Sequence, residues 1–315
     1  GRVISETDAN KHTTRYRYGK TGLVSEITDA LGQKALFEYD ALGNVTKITA
    51  PGNAVTQYAY DISGRLTTQT DATGLVTEYG YDENSQLISV VTNGNESLYE
   101  YDAMGNVSSV TDAEGRCVKL AYDLNGNLTE IIYPDGTKDV TEYDALGRVV
   151  QSTPRTGLAT AYAYDESGNV VRMTQGEQTT AYEYDLLGRM VRQIAADGTE
   201  TAYAYDALGN LVGQTDELGN QTTFSYTAES LLEQVTYANG ASQSLSYDLA
   251  GNIIGETDAE GNAKQYQYDK ANRLIAVVDE LGGKTSYAYD AMDQIVQVTD
   301  ALRHATKYTY DKDGN

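Results

Sequence analysis

An all-β fold is predicted: an array of about 15 antiparallel β-hairpins of 21 residues, forming one continuous coiled β-sheet that would be an open shell or tube segment. Three observations predict it. Tyrosine recurs at positions 18, 39, 60, 81, 101, 122, 143, 164, 184, 205, 226, 247, 268, 289 and 310, at intervals of 21 residues broken by two of 20. The run into each of these tyrosines alternates with a period of two, as in "TAYAYD" from Thr201 and "TSYAYD" from Thr285, which is the period of a strand with one covered face. Turn signals occur twice per period, one after the Tyr and one about halfway to the next.

The first turn follows directly from the Tyr. Thirteen of the fifteen tyrosines are followed by Asp, the exceptions being Gly19 and Thr227, and eleven have Gly four residues on. The best-kept copies place Tyr39, Asp40 and Gly43; Tyr60, Asp61 and Gly64; Tyr101, Asp102 and Gly105; Tyr122, Asp123 and Gly126; and Tyr143, Asp144 and Gly147. They continue with Tyr164, Asp165 and Gly168; Tyr184, Asp185 and Gly188; Tyr205, Asp206 and Gly209; and Tyr247, Asp248 and Gly251. An Asp that accepts a backbone N–H two residues on, followed by a Gly with positive φ, makes a type I turn closed by a G1 bulge. Ser85, Ser230, Asn272 and Asp293 replace the Gly in the other copies; Asn and Asp tolerate positive φ better than most residues.

The return strand begins six residues after the Tyr, where every complete copy is apolar, as at Val45, Leu66, Leu128 and Leu211. Its pattern is less regular, often with two adjacent apolar residues, as a bulge or cover on both faces would produce. The second turn reads "DALG" at Asp29, "DATG" at Asp71, "YPDG" at Tyr133, and in the two 20-residue units it shortens around Asn93-Gly94 and Gln175-Gly176. A hairpin loop can lose a residue; a strand that did so would turn its faces over.

Equivalent strands of adjacent units should lie about 9.6 Å apart, so successive tyrosines do not touch, and the apolar residue of the intervening strand should fill the gap. About thirty strands exceed what an open twisted sheet holds flat, so coiling is expected. The register runs the length of the chain, which implies one array over residues 1–315 with no second domain. The pattern is cut at both ends, as in a fragment of a longer protein. A single hairpin is marginal in water, so each unit should draw its stability from its neighbours.

Composition narrows function. The 315 residues carry 46 Asp and Glu against 23 Lys and Arg, a net charge of −23, which argues against nucleic acid and anionic membranes as partners. Cys117 alone makes no internal disulfide, and no apolar run is long enough for a membrane helix. No catalytic, cofactor or metal site is expected. His12 and His304 lie near opposite ends, and Cys117 has no His in its unit. The acidic turns suggest calcium, yet they lack the alternating oxygens and terminal Glu of an EF-hand loop. Carbohydrate binding is the strongest rival, because tyrosine rings make good sugar platforms. The alternation places those rings on the face expected to be buried, and there is no Trp.

The motif "YDALGN" at Tyr39 and Tyr205, with "YDALGR" at Tyr143, resembles the YD, or Rhs, repeat family, and the likeness covers essentially the whole chain. It implies a spiralling β-sheet shell such as those of bacterial Rhs and polymorphic toxins, toxin-complex C subunits, wall-associated proteins and teneurins. In toxin members the shell surrounds a cytotoxic segment. The resemblance thus implies a secreted or cell-surface scaffold whose partner is the remainder of its own chain, with an adhesive stalk as the alternative. The toxin members close their repeats with a self-cleaving Asp-Pro-x-Gly segment. This chain has no Asp-Pro, its prolines following Ala50, Tyr133 and Thr153, so its aspartates do not inherit that role. Unpaired strand edges at Gly1 and Asn315 should favour edge-to-edge self-association.

Overall fold

The computed structural model describes residues 2–310. Gly1, Asn315 and the last copy's Gly314 therefore lie outside the described residues. The described residues form thirty β-strands of one open sheet, with a short 3-10 turn at Pro51–Asn53. By contact it divides into two compact units, one comprising Gly1–Tyr79, Tyr226–Thr236 and Gly240–Asn315, the other Gly80–Ser225 and Tyr237–Asn239. The same hairpin builds each.

In a regular repeat the strand ending on the Tyr has six residues, as in Lys34–Tyr39, Val55–Tyr60 and Glu200–Tyr205. The return strand has five, as in Val45–Thr49, Leu66–Thr70 and Leu211–Thr215. Tyr, Thr and Val favour extended backbone, and the alternation decides which face is covered. In Glu200–Tyr205 the residues Thr201, Tyr203 and Tyr205 are half-buried while Glu200, Ala202 and Ala204 are exposed.

The return strand carries the bulge that its irregular pattern allowed. Tyr39 opposes Val45 and Glu38 opposes Lys47, which leaves Thr46 as the extra residue. The same shift recurs at Tyr60, Tyr143 and Tyr247. Where the bulged residue has a hydroxyl it can bond back across the pair. Ser25, Thr67 and Thr129 donate to the carbonyls of Arg17, Ala59 and Ala121, the residues just before Tyr18, Tyr60 and Tyr122.

The two short repeats lose their residue in the second turn, as expected. A regular second turn spans the five residues between paired Thr28 and Lys34. Around Asn93-Gly94 the loop shrinks to two residues between paired Thr92 and Asn95, and both loop residues have positive φ, the signature of a type I′ hairpin. Around Gly176 the pair is Gln175 and Gln178. Each flanking strand lengthens by one residue at its turn end, giving Leu87–Thr92 and Asn95–Tyr101. The tyrosine register is therefore untouched.

The expectation of a buried aromatic face is met only in part. Among the described residues Ala276 is the one buried hydrophobic residue apart from glycine, at 1% exposure, and the strand tyrosines are half-buried. Strands that contact one another strongly are consecutive in sequence. Each face is thus covered by side chains of neighbouring strands, and that cover shields a ring without sealing it.

Candidate functional site: the tyrosine and aspartate turns

The turn at Asp40 shows how the repeated motif is built. The Asp40 N–H donates to the Asn44 carbonyl at 2.9 Å, and the Gly43 N–H to the Asp40 carbonyl at 3.2 Å. Gly43 takes φ +93°, the left-handed region where a Cβ is costly. The Asp40 carboxylate fills its own acceptor sites: Oδ1 receives the N–H groups of Leu42 and Asn44, each at 2.9 Å, and Oδ2 the Asn44 Nδ2 at 2.9 Å. These bonds, led by the Asn44 side chain, hold the Asp40 carboxyl below the usual range. Asp102, Asp123, Asp165 and Asp206 sit in the same cage and are lowered alike. Ser85, Ser230, Asn272 and Asp293, which replace the Gly, all adopt φ between 61° and 67°.

The strand tyrosines lie on the half-buried face of their strands, and their hydroxyls find partners that the repeat pattern does not show. Tyr39 donates to the Val24 carbonyl at 2.8 Å, Tyr60 to Val45 at 2.9 Å, Tyr143 to Leu128 at 2.8 Å and Tyr205 to Met190 at 2.9 Å. Each acceptor lies 15 residues back; across the short repeats Tyr101 and Tyr184 reach 14 back, to Leu87 and Val170. Val45 is also the strand partner of Tyr39. One apolar residue therefore joins two tyrosines, opposing the first and accepting from the second.

The residue after the Gly separates two kinds of repeat. An Asn there bonds its own Asp, and Asn252 also reaches Asn272 of the next repeat at 3.0 Å. An Arg also reaches into the next repeat: Arg148 bonds Asp144 at 2.7 Å, reaches the Asp165 carbonyl at 3.4 Å and lies 4.6 Å from the Tyr164 ring centroid. Arg189 and Arg273 repeat this over Tyr205 and Tyr289. The "GN/R" alternation is visible in the sequence, and the geometry shows that an Arg in this slot also stacks on the Tyr of the next repeat.

The residues weighed for catalysis remain apart in role. His12 and His304 occupy the slot four residues after a turn Asp, with Nδ1 3.3 Å from Asp8 and 3.1 Å from Asp300. Cys117 is half-buried and unbridged. Among the described residues no group of three His, Cys, Asp or Glu is arranged to hold a metal ion, and no helix is long and apolar enough to cross a membrane. A shallow groove of about 780 Å³ lies between the turns at Asp165 and Asp185, with Tyr182, Tyr184, Glu183 and Leu187 among its walls.

Fold and turn together define an antiparallel hairpin array whose repeat is closed by a Tyr-Asp turn. The RHS Repeat family matches residues 1–35, 39–76, 63–97, 81–116, 101–138, 143–180, 205–242, 247–284 and 268–305, and the chain belongs to that family. No curated protein matches it. Among solved structures it is similar to TcdB2-TccC3-Cdc42 and to TcdB2-TccC3 without its hypervariable C-terminal region, each at TM-score 0.80, 17% identity and 97% of this chain. It is also similar to TcdB2-TccC3-TEV, at TM-score 0.75, 15% identity and 98% of this chain. The chain spans about a fifth of the length of these structures, 19 to 21%.

Proposed function

We propose that the chain is a non-enzymatic scaffold, a single YD-repeat array from a longer secreted or cell-surface protein that encloses or displays another part of that protein. The observation that carries this reading is the occupancy of the repeated polar groups. In the turn at Asp40 both carboxylate oxygens accept bonds that shape the turn, and the hydroxyl of Tyr39 closes onto the neighbouring hairpin. Groups engaged in this way across many copies build a wall and leave little for chemistry. The partner of the wall is then the remainder of the parent chain, as the likeness to TcdB2-TccC3 suggests.

The test is protease protection in the full-length parent protein. A non-repeat segment that resists digestion until the repeats are unfolded supports enclosure, and digestion at the rate of the isolated segment overturns it. A carbohydrate-binding stalk stays as the second reading because the strand tyrosines are only half-buried and two of them line the groove beside Asp185. A glycan array, with Tyr182→Ala as control, separates the two.

A further inference from the structure

The groove between the turns at Asp165 and Asp185 has counterparts that the chain fills itself. In the repeats before and after it, Arg148 lies 4.6 Å from the Tyr164 ring centroid and Arg189 lies 4.8 Å from that of Tyr205. Each guanidinium also bonds a carbonyl of the next turn, Asp165 at 3.4 Å and Asp206 at 3.0 Å. Between these two repeats the slot is held by Asn169, whose shorter amide stops at the Asp165 carboxylate, 2.9 Å away. Its groove of about 780 Å³ therefore opens onto Tyr184 and Asp185, the positions that meet a guanidinium on either side.

An Asn repeat in the first unit shows that such a groove takes a donor from elsewhere. After Asn252 the equivalent walls are Asp248, Tyr266, Tyr268 and Asp269; Asn10 enters among them and donates to the Asp248 carboxylate at 2.9 Å. Sequence sets the Asn169 groove apart from the other Asn repeats. It alone leads into Tyr-Glu-Tyr, at Tyr182, Glu183 and Tyr184, whereas the middle residue is Gln267 after Asn252 and Ala59 after Asn44. Glu183, 52% exposed, is loosely paired with Arg192 at 3.4 Å. Asp165 keeps acceptor capacity too. A carboxylate offers about four acceptor sites, and the N–H groups of Ser167 and Asn169 and the Asn169 Nδ2 take three of them.

We infer that this groove is a binding site for the guanidinium of an arginine side chain on another polypeptide segment. The Tyr184 ring takes the planar cation as Tyr164 and Tyr205 do, the Asp185 carbonyl accepts one N–H, and Asp165 and Glu183 supply the opposite charge. Lysine matches the charge without the plane. The site stands whether or not the array encloses a cargo. It assigns the groove a cation, where the carbohydrate reading assigns a neutral sugar.

Saturation-transfer NMR of short, otherwise neutral peptides against the folded chain tests this. A peptide with a single Arg is expected to bind, and to bind more weakly as salt screens the acidic walls. The matching Lys peptide is expected to bind several-fold less, and the citrulline peptide, which keeps the shape without the charge, not at all. Asn169→Arg is expected to abolish binding, because the chain then supplies its own guanidinium as at Arg148 and Arg189. That substitution copies a natural pattern of the array, and thermal melting verifies that it stays folded. Glu183→Gln is expected to weaken binding of the Arg peptide. An Arg peptide that does not bind at low salt overturns the proposal. So does binding that persists in Asn169→Arg, or equal binding of the Arg and citrulline peptides.

Discussion

The hydroxyl of Tyr39 donates to the backbone carbonyl of Val24 at 2.8 Å, across the boundary between two repeats. Val24 is itself the strand partner of Tyr18. The tyrosine that names the repeat therefore acts less on its own hairpin than on the one before it, and the bond recurs at Tyr60, Tyr143, Tyr205 and Tyr247. In an array where each unit is marginal alone, such bonds between neighbours set cooperativity.

Tyr205→Phe should isolate that bond, because the ring and its cover stay in place while the Met190 carbonyl loses its donor. The expected loss is about 1 kcal/mol, typical of one intramolecular hydrogen bond. Urea unfolding measures it as a lower midpoint with unchanged slope. A variant as stable as the wild type would mean that water replaces the hydroxyl without loss.

Gly43, at φ +93°, tests the turn. Gly43→Val should cost more than about 1 kcal/mol, since a β-branched residue is strained in the left-handed region. Gly43→Asn should cost much less, because Asn272 already holds that slot at φ 61° in another repeat. Equal losses for Val and Asn would show that the backbone relaxes out of the turn.

Much of this was legible beforehand, because a period writes each local rule many times. Strand, turn, the deletion at Asn93-Gly94 and the positive φ at Asn272 are all local consequences of residue type. The acceptor of Tyr39 was not legible, since a backbone carbonyl leaves no mark in a sequence. The reach of Arg148 to Tyr164 depends on side-chain length across a boundary that the motif does not show. Contact between Asn10 and Asp248 joins copies far apart in an almost uniform array, where every turn resembles every other and pattern alone cannot choose partners.

Arg273 is held more closely than a surface cation usually is. It bonds Asp269 at 2.8 Å and Asp293 at 2.6 Å, and lies 4.7 Å from the Tyr289 ring centroid with its side chain 18% exposed. Lysine keeps the charge but loses the planar fork and the ring stacking. Arg273→Lys should therefore destabilise by about 1 kcal/mol. Arg273→Asn, which restores the other natural pattern and keeps a local bond to Asp269, should recover part of that loss. Calorimetric melting of the two variants ranks them, and a lysine variant that melts with the wild type would remove the stacking from the account.

Acid should unfold the chain in a defined window. The carboxyls of Asp40, Asp61, Asp102, Asp144 and Asp165 are all lowered from the usual 3.8, by hydrogen bonds from backbone N–H groups and from the Asn or Arg side chain of each turn. A lowered value means that the unfolded chain takes up protons at a higher pH than the folded one. The stabilisation is therefore complete well above 3.8 and is lost as pH falls through the folded values below it. From neutrality down to the isoelectric point near 4.3, neutralising the excess negative charge relieves repulsion, so stability should hold or rise there. Thermal melting from pH 7 to pH 2 should show that plateau and then a steep fall that many similar turns deepen together. A melting point that stays level down to pH 2 would show that the aspartate cages shape the turns without stabilising them.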